Sequence, residues 1–467
     1  LGRAPAALEW ARGRGKGRPF SRAICGTFLP RRGPVLSSFT ADLVRALPGP
    51  TWLGDRRAAS FERFSAAELP KEAEEVWRYS PIDELDLGSY SPLGGVAVEG
   101  EALPDPLAEV LGALGPRAGL VLVRNGRLVR SELDPEVAAR GVRVEGLAEA
   151  PDGNEALGCV AGAPDALVEL GNAFLLDAVL VSVPASVEVA APVVVAHWHD
   201  ADGAAGFPRT VVRLADGARA SVVEVFASPD VAALVVPVTE LQVADGADLA
   251  YLGLQVAGPR VWQLAYQASQ VGRDASLRSF TLSLGGDYAR LRSDSRLVGQ
   301  GGTANLAAAY LGSGSQVHDF RTLQDHDAPR TTSDLVFKGA VKDSSRSVYT
   351  GLIRVRKGAV GTNAFQTNRN LVLSEDSRAD SVPNLDIDEN DVRCSHASAV
   401  GPIDEDQRYY LESRGVPPEE ANRLIVLGFF DDLLQQAPMG GLHHHLRRAV
   451  AAKLGTRPLA APPVVPV

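Results

Sequence analysis

From about residue 174 onward the chain alternates short apolar runs with turn formers. Val179 to Val183, Val187 to Val189 and Val193 to Val195 are β-branched segments separated by Gly, Asp and Pro. Side chains alternate between the two faces of a strand, and runs of this length and composition predict strands. The turns recur. Ala215-Asp216-Gly217-Ala218, Ala244-Asp245-Gly246-Ala247 and Arg273-Asp274-Ala275-Ser276 each introduce an alternating strand, and both Asp-to-Asp steps are 29 residues. One further step of that length reaches Thr303, just after Gly301-Gly302, and irregular echoes follow at Lys342-Asp343-Ser344 and Glu375-Asp376-Ser377. A fixed period combined with strand content predicts a β-helix, in which each coil buries its inward side chains only by stacking on the next. A sandwich of short strands is the alternative, but sandwiches need no fixed period.

The flanks read differently. Residues 43–87 show short helices and turns anchored by Trp52, Phe61, Phe64, Trp77 and Tyr79, a small helical cap. Between Leu120 and Val129, Asn125-Gly126 separates two β-rich segments, the strongest short hairpin signal. Residues 130–165 mix turn formers with short apolar groups and carry no firm assignment. After Gly401 the pattern becomes helical. One helix opens at Asp404-Glu405-Asp406-Gln407, and a second begins at Pro418, with Glu419 and Glu420 suited to the positive end of its dipole. That second helix carries Leu424, Ile425, Val426, Leu427, Gly428, Phe429 and Phe430, then Leu433 and Leu434, so it is apolar almost all round. Such a helix is buried within its own chain or shared with a partner, and the pattern by itself favours burial. The expected organisation is a basic disordered extension over 1–35, a helical and mixed α/β region over 36–170, a β-helix core over 171–400 and a helical domain over 401–467.

Composition narrows the class. The 467 residues are 45% hydrophobic and 22% charged, ordinary for a globular protein, and the length suggests two to four compact units. No stretch approaches the roughly 20 apolar residues that cross a bilayer, and no signal-type apolar core follows the first basic residues, so a cytoplasmic protein with no membrane partner is expected. Three cysteines, Cys25, Cys159 and Cys394, fit neither a disulfide framework nor a closed zinc site, which points to a reducing compartment. The net charge of −10 hides an asymmetry: residues 1–34 hold eight basic side chains against Glu9, leaving about −17 on the rest. An acidic body repels phosphate backbones, so nucleic acid is not an expected partner. The stretch Arg12-Gly13-Arg14-Gly15-Lys16-Gly17-Arg18-Pro19 reads as a solvated arm.

Candidate chemistry is sparse. No G-x-x-x-x-G-K-[ST] loop occurs, so the chain has no P-loop ATP site, and no G-x-S-x-G or H-E-x-x-H pattern marks a hydrolase. His197 and His199 share one face of a presumed strand and are read as a half-buried or surface pair rather than a metal site. His318 and His326 lie in a polar stretch and are read as hydrogen-bonded, and His443-His444-His445 as surface. Cys394-Ser395-His396 differs in kind. It places a thiolate and an imidazole two residues apart, on one strand face, where strand character ends. Those ligands suit iron, zinc or copper, but two groups are half a site, and a metal would need ligands from another chain. From the chemistry alone a structural role for the pair is the simpler reading.

Asn370 to Ser374, Pro383-Asn384-Leu385-Asp386-Ile387, Asp391-Val392, Cys394-Ser395-His396, and Asp404 to Gln407 with Tyr410-Leu411-Glu412-Ser413-Arg414-Gly415 together resemble the SufB/SufD family of iron-sulfur cluster assembly proteins. Trp52 with Arg56, Arg57, Phe61 and Phe64, then Trp77-Arg78-Tyr79, Asn125-Gly126-Arg127, Leu170 to Phe174 with Asp177, and His326 with Pro329, Ser333 and Gly339 extend the likeness over about residues 48–435. The SufB branch carries a cysteine where this chain has Thr367, and a His-Glu pair where it has His396-Ala397, so the chain is more similar to the SufD branch. The resemblance implies a right-handed parallel β-helix between an N-terminal helical region and a C-terminal helical domain. It implies a non-catalytic scaffold subunit working with SufB and the ATPase SufC, with the ATP site on SufC, and it allows a homodimer of the isolated chain. It implies a nascent iron-sulfur cluster shared transiently with SufB, His396 and Cys394 being candidate ligands at that interface. It also makes Leu424, Ile425, Leu427, Phe429 and Phe430 candidates for the SufC contact as well as for the domain core. A reduced flavin has a place in some accounts of the family's complex, but no residue here marks a flavin site. The rival readings are an interaction subunit without metal contact and a β-helix carbohydrate-active enzyme.

Overall fold

A computed structural model describes residues 38–93 and 102–455 of the chain. The expected basic extension over 1–35 and Cys25 lie outside the described residues. The described residues belong to one compact unit, Ser37–Val467. Length alone divides such a chain into several units, but here both flanks pack on the outer faces of one solenoid.

Before the solenoid come α1 (Ala41–Ala46), α2 (Thr51–Ala66), β1 (Ser91–Pro92), α3 (Asp105–Leu114), β2 (Gly119–Arg124), β3 (Arg127–Leu133), α4 (Pro135–Ala138), β4 (Arg143–Gly146), α5 (Gly153–Ala156) and α6 (Ala166–Ala173). The solenoid is a parallel β-helix of about eight turns, each contributing one strand to each of two sheets. The first sheet holds β5 (Ala178–Val183), β8 (Arg209–Leu214), β11 (Val238–Val243), β13 (Val261–Val271), β15 (Tyr288–Leu297), β17 (Val317–His326), β19 (Arg346–Val355) and β21 (Arg378–Ile387). The second holds β6 (Val193–Trp198), β9 (Arg219–Ala227), β12 (Asp248–Val256), β14 (Ser276–Ser283), β16 (Thr303–Gly312), β18 (Thr332–Val341), β20 (Asn363–Val372) and β22 (Arg393–Gly401). Two short strands, β7 (Ala204–Gly206) and β10 (Ala233–Val235), lie beside the first sheet. Helices α7 (Glu405–Ser413), α8 (Pro418–Leu434) and α9 (His443–Lys453) follow.

Alternation along each strand sends one set of side chains into the lumen, where Val181, Val195, Val212, Val222, Leu241, Leu249, Leu277 and Phe320 form the central core. The other set of the second sheet, including Val194, Ala196, Val223 and Leu252, packs under α3, α8 and α9. The outer side of the first sheet is covered by the N-terminal region. There Trp77 lies beneath the guanidinium of Arg290, 3.6 Å from the ring centre, and Arg290 is itself paired with buried Asp319. Arg57 is buried and ties α2 to the carbonyls of Pro48, Leu175 and Leu176.

The Asn125-Gly126 turn forms as expected, with φ of 50° and 78°, because only such residues take two successive left-handed conformations cheaply. Its first strand does more than the local pattern implied. β2 pairs in parallel with β6, so the hairpin extends the second sheet, while β3 and β4 run antiparallel to their neighbours and end the parallel stack. The unassigned stretch 130–165 contains α4, β4 and α5.

The repeat is present but its period is not constant. Leu214, Val243 and Val271 are aligned across β8, β11 and β13, which puts Asp274 level with Gly246 rather than with Asp245. Gly246 and Asp274 share the left-handed turn position, φ 67° and 53°. Thr303 stands opposite Ser276, not Asp274. Coils run from 26 residues, Trp262 to Tyr288, to 32, Arg346 to Arg378. Stacking fixes the strand register and leaves the turns to absorb the difference. One close approach depends on glycine: a Cβ at Gly339 would lie 2.0 Å from the ring of Tyr310 and 2.5 Å from Asn370 Oδ1.

Candidate functional site

Among the described residues nothing caps the last coil of the solenoid. β21 and β22 are the outermost strands of the two sheets, and most of their residues are half-buried or exposed where the preceding strands bury their inward side chains. Register assigns each side chain a direction. Ala364, Gln366, Asn368 and Asn370 of β20 are buried, and opposite them on β22 stand Cys394, His396, Ser398 and Val400. On the other sheet Tyr349, Ile353 and Val355 face Ser381, Leu385 and Ile387. The last coil therefore presents its lumen-side residues to the outside. Leu385, Ile387 and Val400 are exposed, and Ser398 Oγ bonds Ser381 Oγ across the opening at 2.8 Å.

Cys394 and His396 meet different surroundings there. The Cys394 side chain packs on Ile353, Val355, Ala359 and Ala364, and partial burial raises its thiol pKa above the usual value, so it rests protonated. His396 is exposed. The two lie one strand repeat apart, about 6.7 Å, and face the same opening. Among the described residues no third His, Cys, Asp or Glu completes a metal-binding group with them. The arrangement offers a soft ligand and an imidazole to iron, with the remaining coordination left to another molecule. Thr367 and Ala397, where the SufB pattern has its cysteine and glutamate, stand in register on neighbouring strands, between the lumen-facing positions.

The other histidines behave differently from one another. His197 and His199 are buried, not half-buried or at the surface. Strand β6 turns His197 into the lumen, where its Nε2 lies 2.9 Å from Glu224 Oε1, and Glu224 also accepts from Tyr251 Oη (2.6 Å) and Thr239 Oγ1 (2.8 Å). Burial opposes ionisation of Glu224, but these hydrogen bonds outweigh it and hold its pKa below the usual carboxylate range. His199 sits against Gly206, and burial lowers its pKa to about 3. His326 is hydrogen-bonded to Thr331 Oγ1 and Ser333 Oγ, both at 2.8 Å, and His318 to Ser283 Oγ at 3.1 Å. Of the C-terminal run, His444 is exposed while His443 and His445 are half-buried.

Helix α8 divides its apolar residues between two roles. Leu427 and Phe430 are 1% and 0% exposed, packed in the layer beneath the second sheet, which leaves them to the domain core. Leu424 and Ile425 are half-buried outside that layer, while half-buried Phe429 packs against it with its ring 5.0 Å from Lys338 Nζ. Lys338 of β18 locks the helix down through Phe429 O at 2.9 Å and Asp432 Oδ1 at 2.6 Å. α7 has no buried residue, and Tyr409 is 72% exposed. Sequence reasoning missed the buried Glu224 cluster and the uncovered end. Glu224 sits in an otherwise apolar alternating strand, which was a usable signal; the open end had none, since the alternation of β21 and β22 continues as if another coil followed.

The family described as SUF system FeS cluster assembly, SufBD core domain, matches residues 197–429, from the end of β6 in the first solenoid turn into α8. An iron-sulfur cluster assembly SufBD family protein of Mycobacterium tuberculosis is 30% identical over 404 residues, covering 85% of this chain and 92% of the relative. Iron-sulfur cluster assembly protein SufD of Escherichia coli is 29% identical over 404 residues, 83% of this chain and 89% of the relative. SufD of Bacillus subtilis is 30% identical over 289 residues, 61% and 64% of the two chains.

Proposed function

The chain belongs to the SufBD family of iron-sulfur cluster assembly proteins, and from that membership we propose that it is the SufD-type subunit of a SUF scaffold complex. In this reading it works with SufB and the ATPase SufC, performs no turnover chemistry itself, and presents His396, with Cys394 second, to a nascent cluster shared with SufB. The observation that carries the proposal is the uncovered last coil, where those two side chains lie among exposed Leu385, Ile387 and Val400. An apolar opening with two unpaired sheet edges is a surface that another sheet can continue. Half-buried Leu424 and Ile425 of α8 and the exposed α7 are the matching surface for SufC. Among the described residues no helix is long and apolar enough to cross a membrane.

Neutral imidazole binds iron without first losing a proton, whereas the Cys394 thiol must lose one on binding. His396 is therefore the primary ligand and Cys394 the subordinate one. The test is to co-express the chain with SufB and SufC, determine the composition of what purifies together, and reconstitute it anaerobically with iron and sulfide. We expect a stable ternary assembly. His396→Ala should lower cluster formation by at least the ~10–100-fold that loss of a supporting residue costs a metal site, and Cys394→Ser should lower it less. Assembly without any effect of His396→Ala would favour the second reading, an interaction subunit without metal contact. A folded chain that binds neither protein would remove the complex role.

A further inference from the structure

Below the open end lies a buried amide with no partner. Gln366 on β20 is 1% exposed, and neither its Nε2 nor its Oε1 has a hydrogen-bond partner among the described residues. Leaving a buried polar group unpaired costs about 1–3 kcal/mol, so a side chain with both ends unpaired calls for an explanation. Of the neighbouring polar groups, Tyr349 Oη bonds Thr322 Oγ1 at 3.0 Å and Gln324 Nε2 bonds Ser333 Oγ at 2.7 Å and Phe365 O at 3.2 Å, while Gln324 Oε1 is buried and unpaired like the Gln366 amide.

The chain makes room for this amide. A Cβ at Gly351, on the opposite sheet, would lie 2.4 Å from Gln366 Nε2 and 2.4 Å from Tyr349 Oη. Gln366 thus crosses the lumen and occupies the level directly beneath the last coil. The residue in register with it on β22 is His396. In-register parallel neighbours point the same way and lie about 4.8 Å apart, within reach of long side chains. His396 is exposed above the amide, and Gln366 is sealed from water below it.

We propose that Gln366 is a positioning residue for His396: its Oε1 accepts the imidazole N–H that faces the lumen, fixes the ring tautomer and leaves the other ring nitrogen, with its lone pair, directed out of the opening towards iron. A ligating imidazole is commonly held this way, by a carbonyl or carboxylate behind it, and the arrangement raises its basicity. The inference rests on His396 being a ligand, and deepens that reading by naming what orients it.

The test uses the full chain labelled with nitrogen-15 at its eight histidines, the His396 signals being identified by their loss in His396→Ala. The wild-type ring should show one dominant tautomer. Gln366→Met, similar in shape but without a strong acceptor, should give a mixture of tautomers and weaken ferrous iron binding about 10–100-fold. Gln366→Glu, which keeps an acceptor oxygen, should restore the single tautomer. Thermal melts of all three variants separate this from loss of folding. An unchanged tautomer in Gln366→Met, with iron uptake still dependent on His396, overturns the positioning role alone. A tautomer that changes, with iron uptake indifferent to His396→Ala, keeps the positioning contact and sinks the ligand reading instead.

Discussion

Buried imidazoles set how this protein responds to acid. Burial lowers the pKa of His199 and His318 to about 3 and that of His326 to about 4, against an ordinary value near 6.5. Above pH 6.5 neither the folded nor the unfolded chain is protonated at these sites, and their contribution to stability is fully present. As pH falls below 6.5 the unfolded chain takes up protons and the folded chain does not, so stability declines, on the order of 1.4 kcal/mol per pH unit per group, until the folded values near 3 to 4 are reached. Glu224 and Asp319, whose hydrogen bonds and arginine partners hold their values below the usual range, add a second loss only at lower pH. Urea denaturation at pH 7.5 and 5.0 should show the decline in the upper window, and His318→Asn should flatten it. A midpoint that does not move between those pH values would contradict the burial assigned to these rings. None of this was legible in the sequence. The pairing of His197 with His199 could be seen at spacing two, but whether that face looks into the lumen depends on the register of the whole stack.

At the scale of elements, each coil is held by the one beneath it, and small residues mark where two coils come closest. Gly339 leaves the space that the Tyr310 ring fills, and Tyr310 Oη donates to Asn370 Oδ1 at 2.8 Å while accepting from Asn368 Nδ2 at 3.0 Å. Gly339→Ala should therefore cost about 1–3 kcal/mol through overpacking. Combined with Tyr310→Ala it should cost less than the two single losses added, because the ring that clashes is then gone. Denaturation midpoints of the single and double variants decide this, and strict additivity would mean that the ring is not what the methyl meets. Strand existence was readable here because β-branched residues and Asp-Gly turns are local signals. The slip of Asp274 into the position of Gly246 was not, since a polar turn residue and a glycine can both supply a left-handed backbone. Helix α8 was readable as a helix with too much apolar surface for one face, yet only packing separates Leu427 and Phe430, which are core, and Phe429, which packs against it, from Leu424 and Ile425.

The molecule as a whole has two unlike ends. Replacing exposed Leu385 or Val400 by Asp should leave the melting temperature nearly unchanged, since surface substitutions typically stay within about 0.5 kcal/mol, while preventing co-purification with the partner that covers the last coil. Leu427→Asp, by contrast, places a charge in the core and should destabilise the chain itself. If the Leu385 variant assembles normally, the opening is not the interface. The fold class was legible from the repeat, and the family from scattered motifs spread over most of the chain. That Cys394 and His396 stand on an uncovered coil was not, because nothing in the pattern of β22 says that no further coil follows it. The other end is finished: β3 and β4 turn back against the parallel strands and stop the stack. A solenoid with two sticky ends is a monomer for a fibre, adding copies without limit. A solenoid with a single sticky end would instead stop growing once one mate had docked there, so under the interface proposed above an exposed template for aggregation would admit one partner and no more.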